Sequence, residues 1–342
     1  MDRTIYDFPE NSQVKPRAVK PAAPNRTRDA GEERIGIIYN PRSHRNRGQD
    51  LALGEERQVM VAAPETRAQI DAALTDFARA GIDYLIVNGG DGTVRDVLTL
   101  GRAVFADEWP ALAVLPKGKT NALNVDLGAP DDWNLRAAID AFRYGRRIVR
   151  RPLAITASGG GRTMHGFILG AGAYTKGVRA GQDAHALGFF NSLAVGVTAA
   201  WGLGQTLLGS ARNPWRRGVK IDIRTQPGGE PLPHSGIGEA DRRTLVLATT
   251  LERLPMGIKP FGAVRPGLKL LAWDRPRRRL SAVLPAILAG WESDWLTRMG
   301  LHRADAEAFT MVLGDQFILD GEAFPAGSYE VRAGPALSFV VP

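Results

Sequence analysis

Short apolar runs alternate with amphipathic stretches along residues 34–150, and this alternation constrains the fold more than any other feature of the chain. Aliphatic or β-branched runs, typical of buried strands, lie at 34–40, 84–88 and 111–115. Stretches with apolar residues at helical spacing lie at 66–80, 94–105 and 135–142. Strands that alternate with helices predict an α/β layer built on a parallel sheet.

From residue 151 onward the pattern changes to short apolar strands separated by turns rich in glycine and proline. These strands are predicted at 152–156, 163–169, 219–224, 243–250, 268–273, 308–319 and 329–341. We therefore expect two folded domains, an α/β domain over 34–150 and a mostly β domain over 151–342. Residues 1–33 hold few large apolar groups, so we expect them to form a disordered tail.

Composition removes several classes of function. The chain has no cysteine, which excludes a disulfide framework, thiol catalysis and cysteine-ligated zinc. The tail has six basic and six acidic residues, so the net charge of +8 belongs to the folded body. Such a body suits an anionic membrane, a phosphorylated substrate or nucleic acid, but the chain carries no recognisable nucleic-acid-binding module.

Two features bear on localisation. The N-terminus lacks the apolar run of a signal peptide, so we expect a cytoplasmic protein. Residues 186–211 are uncharged and long enough to span a bilayer, but five glycines and several polar side chains make them weakly apolar. We expect this stretch to form a buried helix or to line a lipid cleft.

The strongest chemical signal is a glycine-rich run between a predicted strand and a predicted helix. Glycines let the backbone approach an anion, and we expect positive φ angles among them. The N-terminus of the following helix adds N–H groups that favour phosphate, and Thr93 and Asp96 stand at capping-box spacing. A tight Gly-Asp-Gly turn is the alternative, but the context favours a phosphate-binding run comprising Gly89, Gly90, Asp91, Gly92 and Thr93.

Two further polar segments follow predicted strands. The first contains Asn40, Pro41 and Ser43, and the second contains Gly118, Lys119, Thr120 and Asn121. Ligands of open α/β sheets bind at the carboxyl ends of the strands. Because all three segments occupy such ends, the sequence predicts that they form one nucleotide site.

In this order and spacing, the three segments resemble the catalytic domain of diacylglycerol kinases and their sphingosine, ceramide and bacterial lipid kinase relatives. That family shows Asn-Pro-x-Ser-Gly, Gly-Gly-Asp-Gly-Thr and Pro-x-Gly-Thr-x-Asn; NAD kinases share the middle element. Residues 165–172 are similar to the family's glycine-rich strand, and Asp-Gly-Glu at 320–322 is similar to its near-terminal element. The resemblance implies an NAD-kinase- and diacylglycerol-kinase-like α/β domain, a sandwich-like β domain and an active site in the cleft between them.

The same resemblance implies an activity and its residues. It indicates an ATP-dependent lipid kinase that transfers the γ-phosphoryl group to a diacylglycerol-like or ceramide- or sphingoid-like hydroxyl, with ATP and Mg²⁺ as cofactors. Glu322 would be the general base, with Asp320 and Asp91 as alternates and as magnesium ligands. Lys119 and the loop N–H groups would hold the phosphates. Taken alone, residues 320–322 also suit a plain β-turn between two strands.

The chain departs from the family pattern in four places. His44 replaces the glycine of the first turn, Asp96 replaces a glutamate, and Lys119 stands at the threonine position. Pro266-Gly267 stands where several bacterial members have an Asp-Gly that binds a structural magnesium ion. The altered third motif and Pro266 favour the alternative, a catalytically impaired lipid-binding or regulatory protein on the same fold.

Clusters of basic residues, two of them beside tryptophan, predict peripheral association with an anionic membrane surface, where each cation contributes about 1 kcal/mol. A plain solvated face is the other interpretation. The clusters are Arg143, Arg146, Arg147, Arg150 and Arg151; Arg212, Arg216, Arg217 and Lys220 around Trp215; and Arg275, Arg277, Arg278 and Arg279 after Trp273.

Overall fold

The computed structural model describes residues 33–43, 46, 59–118, 120–178 and 218–342. Several predictions lie outside these ranges: the tail up to residue 32, the uncharged stretch 186–211, Lys119, and the cluster around Trp215 apart from Lys220. None of the helices within these ranges is long and apolar enough to cross a membrane.

In the first half of the chain, strands and helices alternate as the sequence predicts. The elements are β1 (Ile35–Tyr39), β2 (Val59–Ala62), α1 (Arg67–Ala80), β3 (Tyr84–Asn88), α2 (Asp91–Phe105), β4 (Ala111–Val114), α3 (Ala122–Leu127), α4 (Leu135–Tyr144), β5 (Arg146–Arg150), β6 (Leu153–Ala157), β7 (Met164–Gly166) and β8 (Ile168–Gly172).

In the second half, strands predominate. The elements are β9 (Val219–Gln226), β10 (Glu230–Pro231), β11 (Arg242–Arg243), β12 (Leu245–Thr249), a 3-10 turn (Pro255–Gly257), β13 (Leu268–Trp273), α5 (Leu280–Leu288), α6 (Asp294–Arg298), β14 (Leu301–Ala306), β15 (Ala308–Leu313), β16 (Phe317–Leu319), β17 (Glu322–Phe324), β18 (Gly327–Ala333) and β19 (Leu337–Val341).

The described chain divides into two compact units. The α/β unit contains residues 33–152 together with Thr163–Gly166 and Gly334–Pro342. The β unit contains Leu153–Arg162 and Phe167–Ala333. The fold class predicted from the sequence, an α/β domain followed by a mostly antiparallel β domain, is confirmed.

The sheet of the α/β unit has the strand order β2-β1-β3-β4-β19-β5. Its neighbours pair in parallel except β19 and β5, which are antiparallel. All five residues of β1 and of β3 are buried, as the aliphatic runs indicate. The hydroxyl of Tyr84 is buried in this core and donates to the carbonyl oxygen of Ala138 on α4, at 2.8 Å, so the buried polar group is satisfied.

The helix α1 shows how local sequence defines the elements. Thr66 caps its N-terminus in a capping box with Gln69, and Gly81, in the left-handed conformation at φ 67°, ends it. Its apolar stripe includes Leu74 and Phe77, which are both buried. The predicted helix at 66–80 is therefore confirmed with its first residue acting as the cap.

The C-terminal boundary of the β domain needs correction. The predicted domain 151–342 ends with nine residues that belong to the α/β unit, Gly334–Pro342, and the predicted strand 329–341 is two strands, β18 and β19. The reason is long-range pairing, since β19 completes the parallel sheet beside β4 while β18 pairs with β6 and β15. Similarly, the predicted strand 308–319 is two strands, β15 and β16.

The β unit is built from two antiparallel sheets. One has the order β10-β9-β15-β18-β6, with β11 also pairing with β9, and the other has the order β14-β13-β12-β8-β16-β17. Two helices that the sequence analysis did not assign, α5 and α6, contribute to its core. Leu280 and Ile287 of α5 and Leu296 of α6 pack with Trp273 of β13 in one buried cluster.

Candidate active site

The site lies in the α/β unit, where three turns follow the carboxyl ends of β1, β3 and β4. The first two turns are joined by side chains. The amide Nδ2 of Asn40 donates to the hydroxyl of Thr93 at 2.9 Å. The backbone N–H of Gly90 donates to the hydroxyl of Ser43 at 3.2 Å. The predicted convergence of these two segments is therefore present.

The second and third turns touch through two glycines. A Cβ built on Gly90 would lie 3.0 Å from the Cα of Gly118, and a Cβ on Gly118 would lie 3.0 Å from the Cα of Gly90. Both distances are shorter than ordinary carbon–carbon contacts, so no larger residue fits at either position without a shift of the backbone. Glycine is favoured at both positions because the two backbones approach each other closely.

The structural reason for glycine at position 90 differs from the reason that the sequence predicted. Positive φ angles were expected in the glycine-rich run, but Gly90 has φ −85° and ψ −179°, which is extended backbone. The predicted capping box is wrong as well, because α2 begins at Asp91 with Gly90 as its N-cap. Thr93 instead binds Asn40, and Asp96 pairs with Arg67 at 3.2 Å.

Asp91 connects the glycine-rich turn to the third segment. Its carboxylate accepts from the backbone N–H groups of Asn121, at 3.2 Å, and Ala122, at 3.3 Å, where α3 begins. Burial raises the pKa of the Asp91 carboxyl, and the backbone hydrogen bonds partly oppose this shift. The carboxylate thus orients the third turn.

The third turn is held by Asn121. This residue adopts the left-handed conformation at φ 48°, which asparagine tolerates better than most residues. Its Oδ1 accepts from the N–H of Gly118 at 2.8 Å, which closes the turn. Thr120 is exposed. Lys119, the predicted phosphate partner between Gly118 and Thr120, is outside the described residues.

One supporting residue was missed by the sequence analysis. Asn46 is 2 % exposed, and its Nδ2 lies 3.0 Å from the carbonyl oxygen of Asn40 and 3.1 Å from that of Asn88. It thereby joins the ends of β1 and β3. No periodicity marks this residue, and the polar Asn88 at the end of an apolar strand is the only related signal in the sequence.

A cavity of about 330 Å³ adjoins the first two turns. Asn40 and Thr93 line it from the turns, and Thr66, Arg67 and Ile70 line it from the start of α1. Polar and charged groups line this space together with the apolar side chains of Pro41, Pro64 and Ile70, so it suits a ligand with a flat or aliphatic portion next to charged groups.

In the β unit, Asp320 and Gly321 form the turn between β16 and β17. Their φ angles are 45° and 83°, both positive, as a type I′ hairpin turn requires. The Asp320 carboxylate accepts from the backbone N–H groups of Phe167 and Ile168 at 2.9 to 3.1 Å. The carboxylate therefore anchors the predicted glycine-rich strand, β8, which also pairs with β16.

Glu322, the predicted base, is the first residue of β17 and is half-buried. It lies opposite Leu319 in the β16–β17 pair. The β-turn interpretation of residues 320–322 is thus correct in geometry. The catalytic role of Glu322 and the magnesium role of Asp320 stay predictions.

Several of the predicted basic residues have structural partners. Arg150 pairs with the buried carboxylate of Asp126 at 2.6 Å, and Arg143 pairs with Glu33 at 2.7 Å. Trp273, expected beside a membrane, is 3 % exposed and belongs to the core of the β unit. The arginines that follow it at 277, 278 and 279 are exposed.

Comparison with known proteins agrees with this geometry. Residues 34–150 match the family model of the diacylglycerol kinase catalytic domain. A curated relative, diacylglycerol kinase of Bacillus subtilis (strain 168), is 36% identical over 135 residues, which are 36% of this chain and 41% of the relative. The match thus spans about two fifths of that relative's length.

A solved structure shares the fold. The crystal structure of a diacylglycerol kinase from Bacillus anthracis str. Sterne matches 92% of this chain and 99% of its own, with a TM-score of 0.60 and 15% identity. The three converging turns and the matched sequence lie in the same part of the molecule. Over residues 34–150, the chain is therefore similar in sequence to the catalytic domain of diacylglycerol kinases.

Proposed function

We propose that this chain is an ATP-dependent lipid kinase, which transfers the γ-phosphoryl group of ATP to the hydroxyl of a diacylglycerol-like or ceramide- or sphingoid-like lipid. The observation that carries the proposal is the contact between Gly90 and Gly118. It brings two glycine-bearing turns together at the N-terminus of α2, inside the matched catalytic domain. Phosphoryl transfer depends mainly on positioning and on charge stabilisation, which such turns supply.

The nucleotide would lie across the first two turns. The 15-residue helix α2 begins at Asp91, and its N-terminus carries a partial positive charge that favours phosphate. The adjoining cavity would take the nucleoside, with Ile70 against its flat face and Thr66 and Arg67 at its polar edge. Lys119 would add a charged phosphate contact.

Magnesium would arrive with the nucleotide. No cluster of three or more potential metal-ligating side chains occurs among the residues that the structure describes. This suits Mg²⁺, which in kinase sites keeps several waters and binds one or two carboxylates together with the phosphates. Asp91 fits this role, since each carboxylate oxygen that accepts one N–H group retains a further lone pair. The bound ion would neutralise charge on the phosphates.

Glu322 is proposed as the general base that takes the proton of the lipid hydroxyl. The family resemblance supports this role, and the half-buried position of the residue is compatible with it. Asp320 would then act mainly by holding the turn, because its carboxylate binds the backbone at Phe167 and Ile168. A positioned base contributes roughly 10²–10⁴ in rate.

The acceptor lipid implies contact with an anionic bilayer. Helix α5 contains no charged residue, and Ala282, Pro285 and Ala289 are exposed along it. Three exposed arginines at 277–279 precede it, which complements anionic headgroups. The turn bearing Met256, which is 90% exposed, adjoins the end of α5, where the N–H of Lys259 donates to the carbonyl oxygen of Leu288 at 2.6 Å.

This surface has a direct test in vesicle sedimentation. The full chain should bind vesicles containing anionic phospholipid and should be released by moderate salt, because the attraction is screened. Replacing the three arginines at 277–279 by glutamine should abolish most of the binding. Binding that resists salt, or that survives this replacement, would exclude the surface as the anchor.

A second candidate function is a lipid-binding or regulatory protein without catalysis. The observation that favours it is Lys119 at the threonine position of the third motif. The arrangement of Asp91 and the two touching glycines favours the kinase instead.

A transfer assay separates the two functions. The full chain is incubated with γ-labelled ATP, Mg²⁺ and a panel of diacylglycerol, ceramide and sphingoid micelles, and the lipids are then separated and counted. We expect label in at least one lipid, loss of label in Asp91→Asn, and no loss in the exposed control Asp71→Asn. A wild-type chain that labels none of the lipids while still binding them would establish the second function.

A further inference from the structure

The ammonium group of Lys269 is buried in the β unit and holds a loop. Lys269 lies on β13 and is 3 % exposed. Its Nζ donates to the carbonyl oxygens of Arg265 and Gly267, each at 3.0 Å. Burying an ammonium group is costly unless its protons are hydrogen-bonded, so these carbonyl groups satisfy the charge that the strand buries.

Other cationic side chains hold the preceding part of the same loop. The guanidinium Nη1 of Arg265 donates to the carbonyl oxygens of Phe261 and Ala263, each at 3.0 Å. The Nε of Arg303 donates to the carbonyl oxygen of Pro260 at 2.8 Å. Five carbonyl oxygens between residues 260 and 267 therefore accept from cationic side chains.

This is the loop in which the family resemblance implies a structural magnesium ion. The donor set does not fit one. Pro266 stands at the aspartate position and offers no side-chain ligand, and the flanking carbonyl oxygens lie 3.0 Å from the Lys269 ammonium, whose positive charge would repel a metal ion. The nearby carboxylate of Asp305 pairs with Arg265 at 2.8 Å. Magnesium prefers six oxygen ligands in near-octahedral geometry, which this arrangement does not offer.

We propose that Lys269 takes the place of a divalent cation in this chain, so that the β unit folds without a structural metal. An ammonium group and a metal ion can both bind converging carbonyl oxygens. The ammonium group is part of the chain, so its binding does not depend on the concentration of metal. Its contribution is present whenever the chain is folded. The proposal concerns only the loop at 260–267 and is independent of the magnesium that accompanies the nucleotide.

Thermal unfolding of the full chain without nucleotide tests the proposal. Excess EDTA should change the wild-type Tm by less than about 1 °C, since no metal-bound state is removed. Lys269→Met, which nearly keeps the length of the side chain, should lower the Tm by about 2–5 °C because it removes the donor that the carbonyl oxygens of Arg265 and Gly267 share. The matched control is Lys220→Met, an exposed lysine with one ion pair to Asp241 at 3.5 Å, which should leave the Tm nearly unchanged.

A second variant supplies the reverse test. Pro266→Asp combined with Lys269→Met restores a carboxylate and frees the carbonyl oxygens, so Mg²⁺ should raise its Tm by several degrees while leaving the wild type unchanged. Three results would overturn the proposal: a wild-type Tm that falls in EDTA, a Lys269→Met chain as stable as Lys220→Met, or a double variant indifferent to Mg²⁺. The wild-type measurement decides the question even if Lys269→Met fails to fold.

Discussion

The contact between Gly90 and Gly118 gives the sharpest prediction about the candidate site. In Gly90→Ala, the new Cβ would lie 3.0 Å from the Cα of Gly118, whereas ordinary contacts between carbon atoms lie at 3.4–4 Å. The obstructing atom belongs to the backbone and cannot rotate away. The two turns must therefore separate by several tenths of an ångström, and the strain is carried by the loops that meet there.

The magnitude follows from comparable packing changes. Inserting a methyl group into a closely packed site costs about 1–3 kcal/mol. For a folded body of this size, that corresponds to a fall in Tm of roughly 1.5–5 °C. The affinity for ATP should fall as well, because the displaced turns would both contact the phosphates.

Gly92→Ala is the matched control within the same five-residue run. A Cβ there meets only the Nη2 of Arg95, at 3.8 Å, which is ordinary contact with a flexible side chain. Gly92 lies in the first turn of α2, where alanine is favoured over glycine by up to about 1 kcal/mol. Its Tm should therefore be unchanged or slightly raised. Circular dichroism melting and calorimetric ATP titration measure both effects, and equal Tm values and ATP affinities for Gly90→Ala and wild type would refute the reasoning.

Three further predictions concern other residues. Glu322→Gln should lower kcat by roughly 10²–10⁴ with little change in the KM for ATP; a normal kcat in steady-state assays would remove Glu322 as the base. Asn46→Ala should lower the Tm by several degrees and weaken ATP binding in calorimetry. The reason is that the carbonyl groups of Asn40 and Asn88 lose the donor that they share. Unchanged ATP binding would limit Asn46 to a structural role. Burial alone raises the pKa of Asp274, but hydrogen bonds from His302 and Ser235 and the charge of Arg243 outweigh burial and lower the pKa to about 2. This carboxylate therefore stabilises the fold above pH ~4, and its contribution to the free energy of unfolding is lost as the pH falls towards 2. Urea unfolding across this pH range should show that the free energy of unfolding of the wild type falls by about 2–3 kcal/mol, a fall that is absent in Asp274→Asn. At neutral pH, Asp274→Asn should itself be about 3–5 kcal/mol less stable than the wild type. Identical pH profiles for the two proteins would contradict the assignment.

Local patterns in the sequence predicted most of the α/β unit because its elements are defined by their own residues. The aliphatic runs that form β1 and β3 are buried along their whole length between layers of helices. Such runs predict a strand even when the strands that pair with them are not known. The three turns were located correctly for the same reason, since each follows a strand that the pattern identifies.

Features that depend on distant partners were not predictable in this way. The need for glycine at position 90 comes from Gly118, not from its own φ angle, so the local rule gave the wrong cause. The strand β19 returns to the α/β unit because it pairs with β4 and β5, which its own sequence does not reveal. In the sequence, Lys269 is only a polar residue within an apolar strand, and its hydrogen bond to the preceding loop becomes evident only in the structure.

The assignment of the nucleotide site to the three turns is tested most directly by locating bound nucleotide on the chain. Hydrogen–deuterium exchange of the full chain, read by mass spectrometry with and without ATP and Mg²⁺, reports the backbone N–H groups that the ligand protects. We expect slower exchange in peptides covering residues 40–43, 88–95 and 116–122, and no such protection in Gly90→Val. Saturating ATP that leaves these three segments unprotected, or that protects only residues elsewhere, would contradict the assignment of the site.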